Sequence, residues 1–269
     1  MMNKGNPIGI FDSGMGGLTV AHAVKNLLPN EQIIYFGDSA HLPYGDKSAA
    51  TIQAYSIKIC DVLLQHNCKV ILIACNSASA AAFELVKAYV GSKAQVMNVI
   101  DPVVEYVGEK YSNAKIGLIG TKQTVGSGVY AQKIAARNAS ITLGALATPL
   151  LVPMIEEGFY KNEISEQIIN QYLEKPELED IKALILGCTH YPLIKKQVSD
   201  FYANAIEIID SSVIVAKALQ ALLAYHNLVS KEKLTKNRFL VSDFTPSFQL
   251  AAELFFQEEI NLEKHILWE

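Results

Sequence analysis

Arginine is nearly absent. The 269-residue chain has two, Arg137 and Arg238, and neither stands in a motif. A bidentate guanidinium clamp on a substrate carboxylate is therefore not expected. An anionic substrate would have to be held by backbone N–H groups, hydroxyls and amides. Runs of like charge are missing too, and the net charge is −4. That argues against the clustered basic footprint of a nucleic-acid binder. No window reaches the roughly 18 uninterrupted apolar residues of a transmembrane helix. The opening Met1–Pro7 lacks the apolar stretch and cleavage site of a signal peptide. Cysteine is sparse, at 60, 68, 75 and 188, with no C-x-x-C pair. Zinc-ribbon and thioredoxin readings are therefore weak. A cytoplasmic protein with reduced thiols is expected, with neither nucleic acid nor membrane as partner.

What the chain does have is apolar content: 50% of it, enough for one large or two modest domains. Strand-like apolar runs alternate with helical patterns, which reads as a mostly parallel sheet covered by helices. Candidate strands are Ile8–Phe11, Gln32–Phe36, Val70–Ala74, Gln95–Ile100, Lys115–Ile119, Ser140–Leu143, Ala183–Leu186, Ala205–Ile209 and Arg238–Val241. Ser48 is placed to cap a helix running to His66. Asp101-Pro102 reads as an N-cap followed by proline at the first helical position. Glu163–Leu173 and Ser212–Tyr225 are helical by periodicity. A weak duplication relates Ile8–Gly14 to Ile116–Thr121. It suggests two similar, facing α/β lobes, one of residues 1–100 and 211–269 and the other of 101–210.

Two matching frames carry the chemistry. Val70-Ile71-Leu72-Ile73-Ala74-Cys75-Asn76-Ser77 and Ala183-Leu184-Ile185-Leu186-Gly187-Cys188-Thr189-His190 each run from a buried strand through a small residue to Cys and a polar pair. A lone Cys after a strand is usually a small buried hydrophobe. Two in parallel contexts, at the carboxyl ends of strands where open α/β sheets place ligands, reverse that reading. Helix N-termini are expected to lower such thiol pKa values. Cys60 and Cys68 have no polar neighbours and read as structural. Asp12-Ser13-Gly14-Met15-Gly16-Gly17 is neither a dinucleotide fingerprint, since Thr19 stands at its third glycine, nor a P-loop. It remains a ligand-approaching loop or a plain βα turn. Asp38–Gly45 reads by itself as an ordinary loop with a capping Asp, and Glu156 as a solvated helix end before Gly158. Among the histidines only His190 adjoins a candidate base.

Taken together, Gly9–Gly14, Pro43-Tyr44-Gly45, Ala74–Ala80, Gly120-Thr121, Val152–Glu156 and Leu186–Pro192 resemble glutamate racemase, of the aspartate/glutamate racemase family, in the family's order. The resemblance implies two pseudo-symmetric α/β domains with the active site between them. It implies cofactor-independent racemisation of glutamate, supplying the D-enantiomer for peptidoglycan. It assigns Cys75 and Cys188 as the acid/base pair, with Asp12 beside the first and Glu156 and His190 beside the second. Asp12, Ser13, Tyr44, Gly45, Asn76, Ser77, Thr121, Thr189 and His190 match substrate-binding positions. Ser77 and Ser39 replace the usual threonines, and Thr148 stands where many members have Cys. The chain lacks the N-terminal extension of members activated by a cell-wall precursor, so that regulation is not expected. A homodimer is expected, and no metal or other cofactor. The rivals are a related racemase or isomerase acting on aspartate or another small acid, and a ligand-binding module without turnover.

Overall fold

A computed structural model describes residues 3–232 and 236–268. Among the described residues ten strands follow one another as β1 (Ile8–Asp12), β2 (Ile33–Gly37), β3 (Val70–Ile73), β4 (Gln95–Asn98), β5 (Lys115–Gly120), β6 (Thr142–Ala147), β7 (Ala183–Gly187), β8 (Glu207–Asp210), β9 (Arg238–Val241) and β10 (Leu262–Lys264). Between them run α1 (Leu18–Leu27), α2 (Ala49–Gln65), α3 (Asn76–Val90), α4 (Ile100–Lys110), α5 (Lys122–Gly126), α6 (Val129–Arg137), α7 (Leu151–Glu156), α8 (Glu163–Leu173), α9 (Lys195–Phe201), α10 (Ser211–Tyr225) and α11 (Pro246–Phe256).

The strands form two sheets, every pairing parallel. One is ordered β10-β9-β2-β1-β3-β4 and the other β6-β5-β7-β8. The order β2-β1-β3-β4 repeats as β6-β5-β7-β8, so the weak duplication in sequence is a duplication of topology. β1, β2, β3 and β7 are buried at every residue. Such continuous apolar runs belong to strands covered on both faces. Because β3 and β7 occupy equivalent places, the residues after them, Cys75 and Cys188, occupy equivalent places too. Helix α10 packs on both α1 and α4, tying the two halves together. Among the described residues no helix is long and apolar enough to cross a membrane.

Several boundaries differ from expectation. β4 stops at Asn98 because its side-chain oxygen accepts from the N–H groups of Ile100 and Asp101, both at 2.8 Å. Asn98 thus does the capping expected of Asp101, and Pro102 lies inside the first turn. β6 begins at Thr142, not Ser140, because the Ser140 hydroxyl is spent in a turn with Asn113 N–H and Asn138. β10 has a single apolar residue followed by exposed Glu263 and Lys264, too little patterning to mark it in sequence. Ser48 caps α2 as expected, accepting from Thr51 N–H.

Candidate active site

A cleft of about 270 Å³ opens between the carboxyl ends of the two sheets. Its walls include Ser13, Tyr44, Gly45, Cys75, Asn76 and Ser77 from one side, and Thr121, Glu156, Cys188, Thr189 and His190 from the other. Of the sequence-derived candidates only Asp12 is not on the wall. It is fully buried just behind it, accepting from Gly14 N–H at 3.0 Å and facing the Thr189 hydroxyl at 3.5 Å.

The two thiols sit in different electrostatic surroundings. Cys75 is the N-cap of α3, its sulfur accepting from Ala78 N–H at 3.4 Å and lying 3.7 Å from Ser13 Oγ. Burial, followed by the charge of Asp12, pushes its thiol up to about 12, over the opposing effect of the helix N–H. The expected lowering by a helix N-terminus therefore does not hold here: desolvation of a fully enclosed sulfur outweighs one amide. Cys188 instead lies 3.7 Å from His190 Nδ1, and His190 Nε2 is 2.8 Å from Glu156 Oε1. Burial alone would strip the proton from His190, yet its hydrogen bonds to Cys188 and Glu156, together with their charges, raise it to about 10. That rise favours the charged form of the ring facing Cys188 Sγ. Glu156, at the last residue of α7, is turned inward to His190 and is not a solvated helix end. Asp12 is itself raised by burial, with the His190 charge and the Gly14 N–H opposing.

Asn76 is 3% exposed, and its side-chain oxygen accepts from the Tyr130 hydroxyl at 2.8 Å. That contact fixes the amide's orientation and leaves Nδ2 buried with no partner. An unpaired buried donor costs on the order of 1–3 kcal/mol, so it is poised for an acceptor entering the cleft. The Ser77 and Thr121 hydroxyls meet across the cleft at 2.8 Å. Tyr44 presents its ring, because its hydroxyl donates to Asp38 at 2.6 Å. Asp38 also bonds His41 and Ser242, so it organises the loop and does not cap a helix. Two glycines let the halves approach. A Cβ on Gly16 would stand 2.3 Å from Thr189 Oγ1, and one on Gly45 2.9 Å from Thr121 Cβ.

Cys60 and Cys68 are buried away from the cleft, with burial raising both. Arg137 and Arg238 are engaged in surface ion pairs with Glu105 and Glu263. Sequence reasoning read Asp38, which orients Tyr44, only as a capping residue, and passed over Tyr130, which orients Asn76. Tyr130 lies 54 positions from its partner, so no local pattern marks it.

Residues 18–219 match the model of the Asp/Glu/Hydantoin racemase family. The chain belongs to that family. It is 40% identical over 256 residues to the glutamate racemase of Chlorobium phaeobacteroides, covering 95% of this chain and 94% of that one. It is also 40% identical to the glutamate racemase of Neisseria meningitidis, covering 94% of each. Among solved structures it is similar to glutamate racemase from Francisella tularensis in complex with D-glutamate, at TM-score 0.91 and 39% identity over 98% of both chains.

Proposed function

We propose that this racemase-family chain interconverts L- and D-glutamate by a two-base mechanism between Cys75 and Cys188, supplying D-glutamate for peptidoglycan. One observation carries the reading: two thiols from equivalent strand ends line one cleft, each backed by its own polar partners. The names of the relatives in Chlorobium and Neisseria, and the D-glutamate bound by the Francisella protein, support glutamate as the substrate. The lobes are taken as residues 1–100 with 211–269, and 101–210, supported by the strand membership of the two sheets.

The surroundings of the two thiols differ: the His190 ring adjoins Cys188, and burial with Asp12 holds the Cys75 thiol up. With L-glutamate, Cys188 removes the α-proton from one face and the Cys75 thiol delivers a proton to the other. The reverse reaction begins from the opposite protonation state. Asp12 and Ser13 serve the proton of Cys75, and Glu156 holds His190 charged. The Asn76 Nδ2, Ser77 and Thr121 groups, and the Thr189 hydroxyl, stabilise the carboxylate on which negative charge accumulates. No cofactor is called for.

The decisive assay is purified protein with L-glutamate in D2O, no cofactor added, and chiral detection of the product. D-glutamate deuterated at Cα is expected. Cys75→Ala and Cys188→Ala should each lower turnover by orders of magnitude, whereas Cys60→Ala and Cys68→Ala should keep it. Absence of D-glutamate, or preferential turnover of aspartate, would overturn the assignment of substrate.

A further inference from the structure

The turn that carries Cys188 has a defect that the other lobe repairs. After β7 the chain enters a tight 3-10 turn in which Cys188 O accepts from Tyr191 N–H and His190 O from Leu193 N–H, each at 3.2 Å. In the same register the Thr189 carbonyl should accept from residue 192. That residue is Pro192 and has no N–H to give. Thr189 is 4% exposed, so water has little access to a carbonyl that needs a donor.

The donor is the hydroxyl of Thr19, on α1 of the first lobe, with Oγ1 3.1 Å from Thr189 O. Thr19 Oγ1 also lies 2.9 Å from Gly16 O, but that carbonyl already accepts from Thr19 N–H at 3.1 Å. The hydroxyl proton is therefore most useful at Thr189. Gly16 lets the two segments meet, since any Cβ there would strike Thr189 Oγ1 and His190 Nδ1. Thr189 in turn is flanked by Cys188 and by His190, whose imidazole faces the sulfur.

We infer that Thr19 is a positioning residue for the Cys188 side of the reaction, holding the Cys188–His190 turn in register from the opposite lobe. It touches neither thiol. It acts by satisfying the carbonyl of the residue that joins Cys188 to His190. The inference rests on the two-base reading above and adds to it a residue outside the cleft.

The test compares Thr19→Ser, which keeps the hydroxyl, with the near-isosteric Thr19→Val, which removes it. Racemisation kcat in Thr19→Val should fall about tenfold with KM little changed, as expected for loss of one buried hydrogen bond at the catalytic turn. Thr19→Ser should stay within about twofold of wild type. A glutamate analogue with a leaving group on Cβ separates the two faces, because elimination needs only one proton abstraction. In Thr19→Val, elimination from the L-analogue should drop more than from the D-analogue. Pro192→Ala restores an N–H at the missing position, so Thr19→Val/Pro192→Ala should regain activity over Thr19→Val. Wild-type turnover in Thr19→Val, or an equal loss for both analogues with no recovery in the double variant, overturns the inference. A wild-type protein that makes no D-glutamate removes the functional reading beneath it instead.

Discussion

Cys75 and Cys188 are the same side chain in the same kind of place, and what separates them is the charge alongside. Near Cys75 the neighbour is a buried carboxylate, Asp12, which raises the thiol further. Near Cys188 it is the His190 ring, backed by Glu156. Alkylation at neutral pH should therefore mark Cys188 before Cys75, with glutamate protecting both, as read by peptide mass spectrometry. Faster labelling of Cys75 would show that the His190 ring does not make Cys188 the more reactive thiol. His190 also links stability to pH. Its folded value is raised to about 10 from 6.5, so its contribution is fully present below about pH 6.5 and is lost as pH rises through about 10. Replacing Glu156 by Gln removes one cause of the raised value. The fall in Tm between pH 6.5 and 10 should be shallower in Glu156→Gln than in wild type. Parallel Tm curves would place the cause of the raised value elsewhere.

At the scale of elements, helix ends decide where functional groups point. Cys75 reaches the cleft because it is the N-cap of α3, and Glu156 because α7 ends there. Asn98 stops β4 and starts α4 through two backbone N–H groups. Asn98→Ala should therefore cost about 1 kcal/mol, seen as a lower urea midpoint. The loss should be larger than for Asp101→Ala, which removes contacts to Asn98 Nδ2 and Lys133 but no acceptor of a helix N–H. Equal losses would show that the Asn98 oxygen contributes no more than those contacts. The sequence marked nearly all strands, since apolar runs buried on both faces leave a strong signal, but not these boundaries. A helix can start at either of two neighbouring acceptors, and Asn98 and Asp101 both qualify by residue type.

Over the whole molecule, one buried ion pair closes distant segments together. Lys69 Nζ is fully buried and donates to Glu31 Oε2 at 2.6 Å, Lys4 O at 2.7 Å and Leu228 O at 2.9 Å. Glu31 accepts in addition from Ser230 N–H. All three ammonium protons are used, which is what makes a buried charge tolerable. Lys69→Met strands the Glu31 carboxylate and should cost about 3–5 kcal/mol, while Lys69→Met/Glu31→Leu should recover much of it. Chemical denaturation measures both. A double variant no more stable than the single one would show that the cost comes from packing and not from an orphaned charge. The pair is remote from the cleft residues, so turnover per folded molecule should hold in either variant.

Sequence alone determined the two parallel-sheet halves, their repetition, and the placing of two thiols at equivalent strand ends. These follow from local composition: period, burial pattern and the residue types after a strand. Only the tertiary structure decided that Glu156 backs His190 from 34 positions away, which end of the Asn76 amide stays free, and that Thr19 serves a carbonyl 170 positions away. Desolvation and Coulomb energy depend on whatever surrounds a group in space. Here the surroundings of each functional group come from segments far apart along the chain.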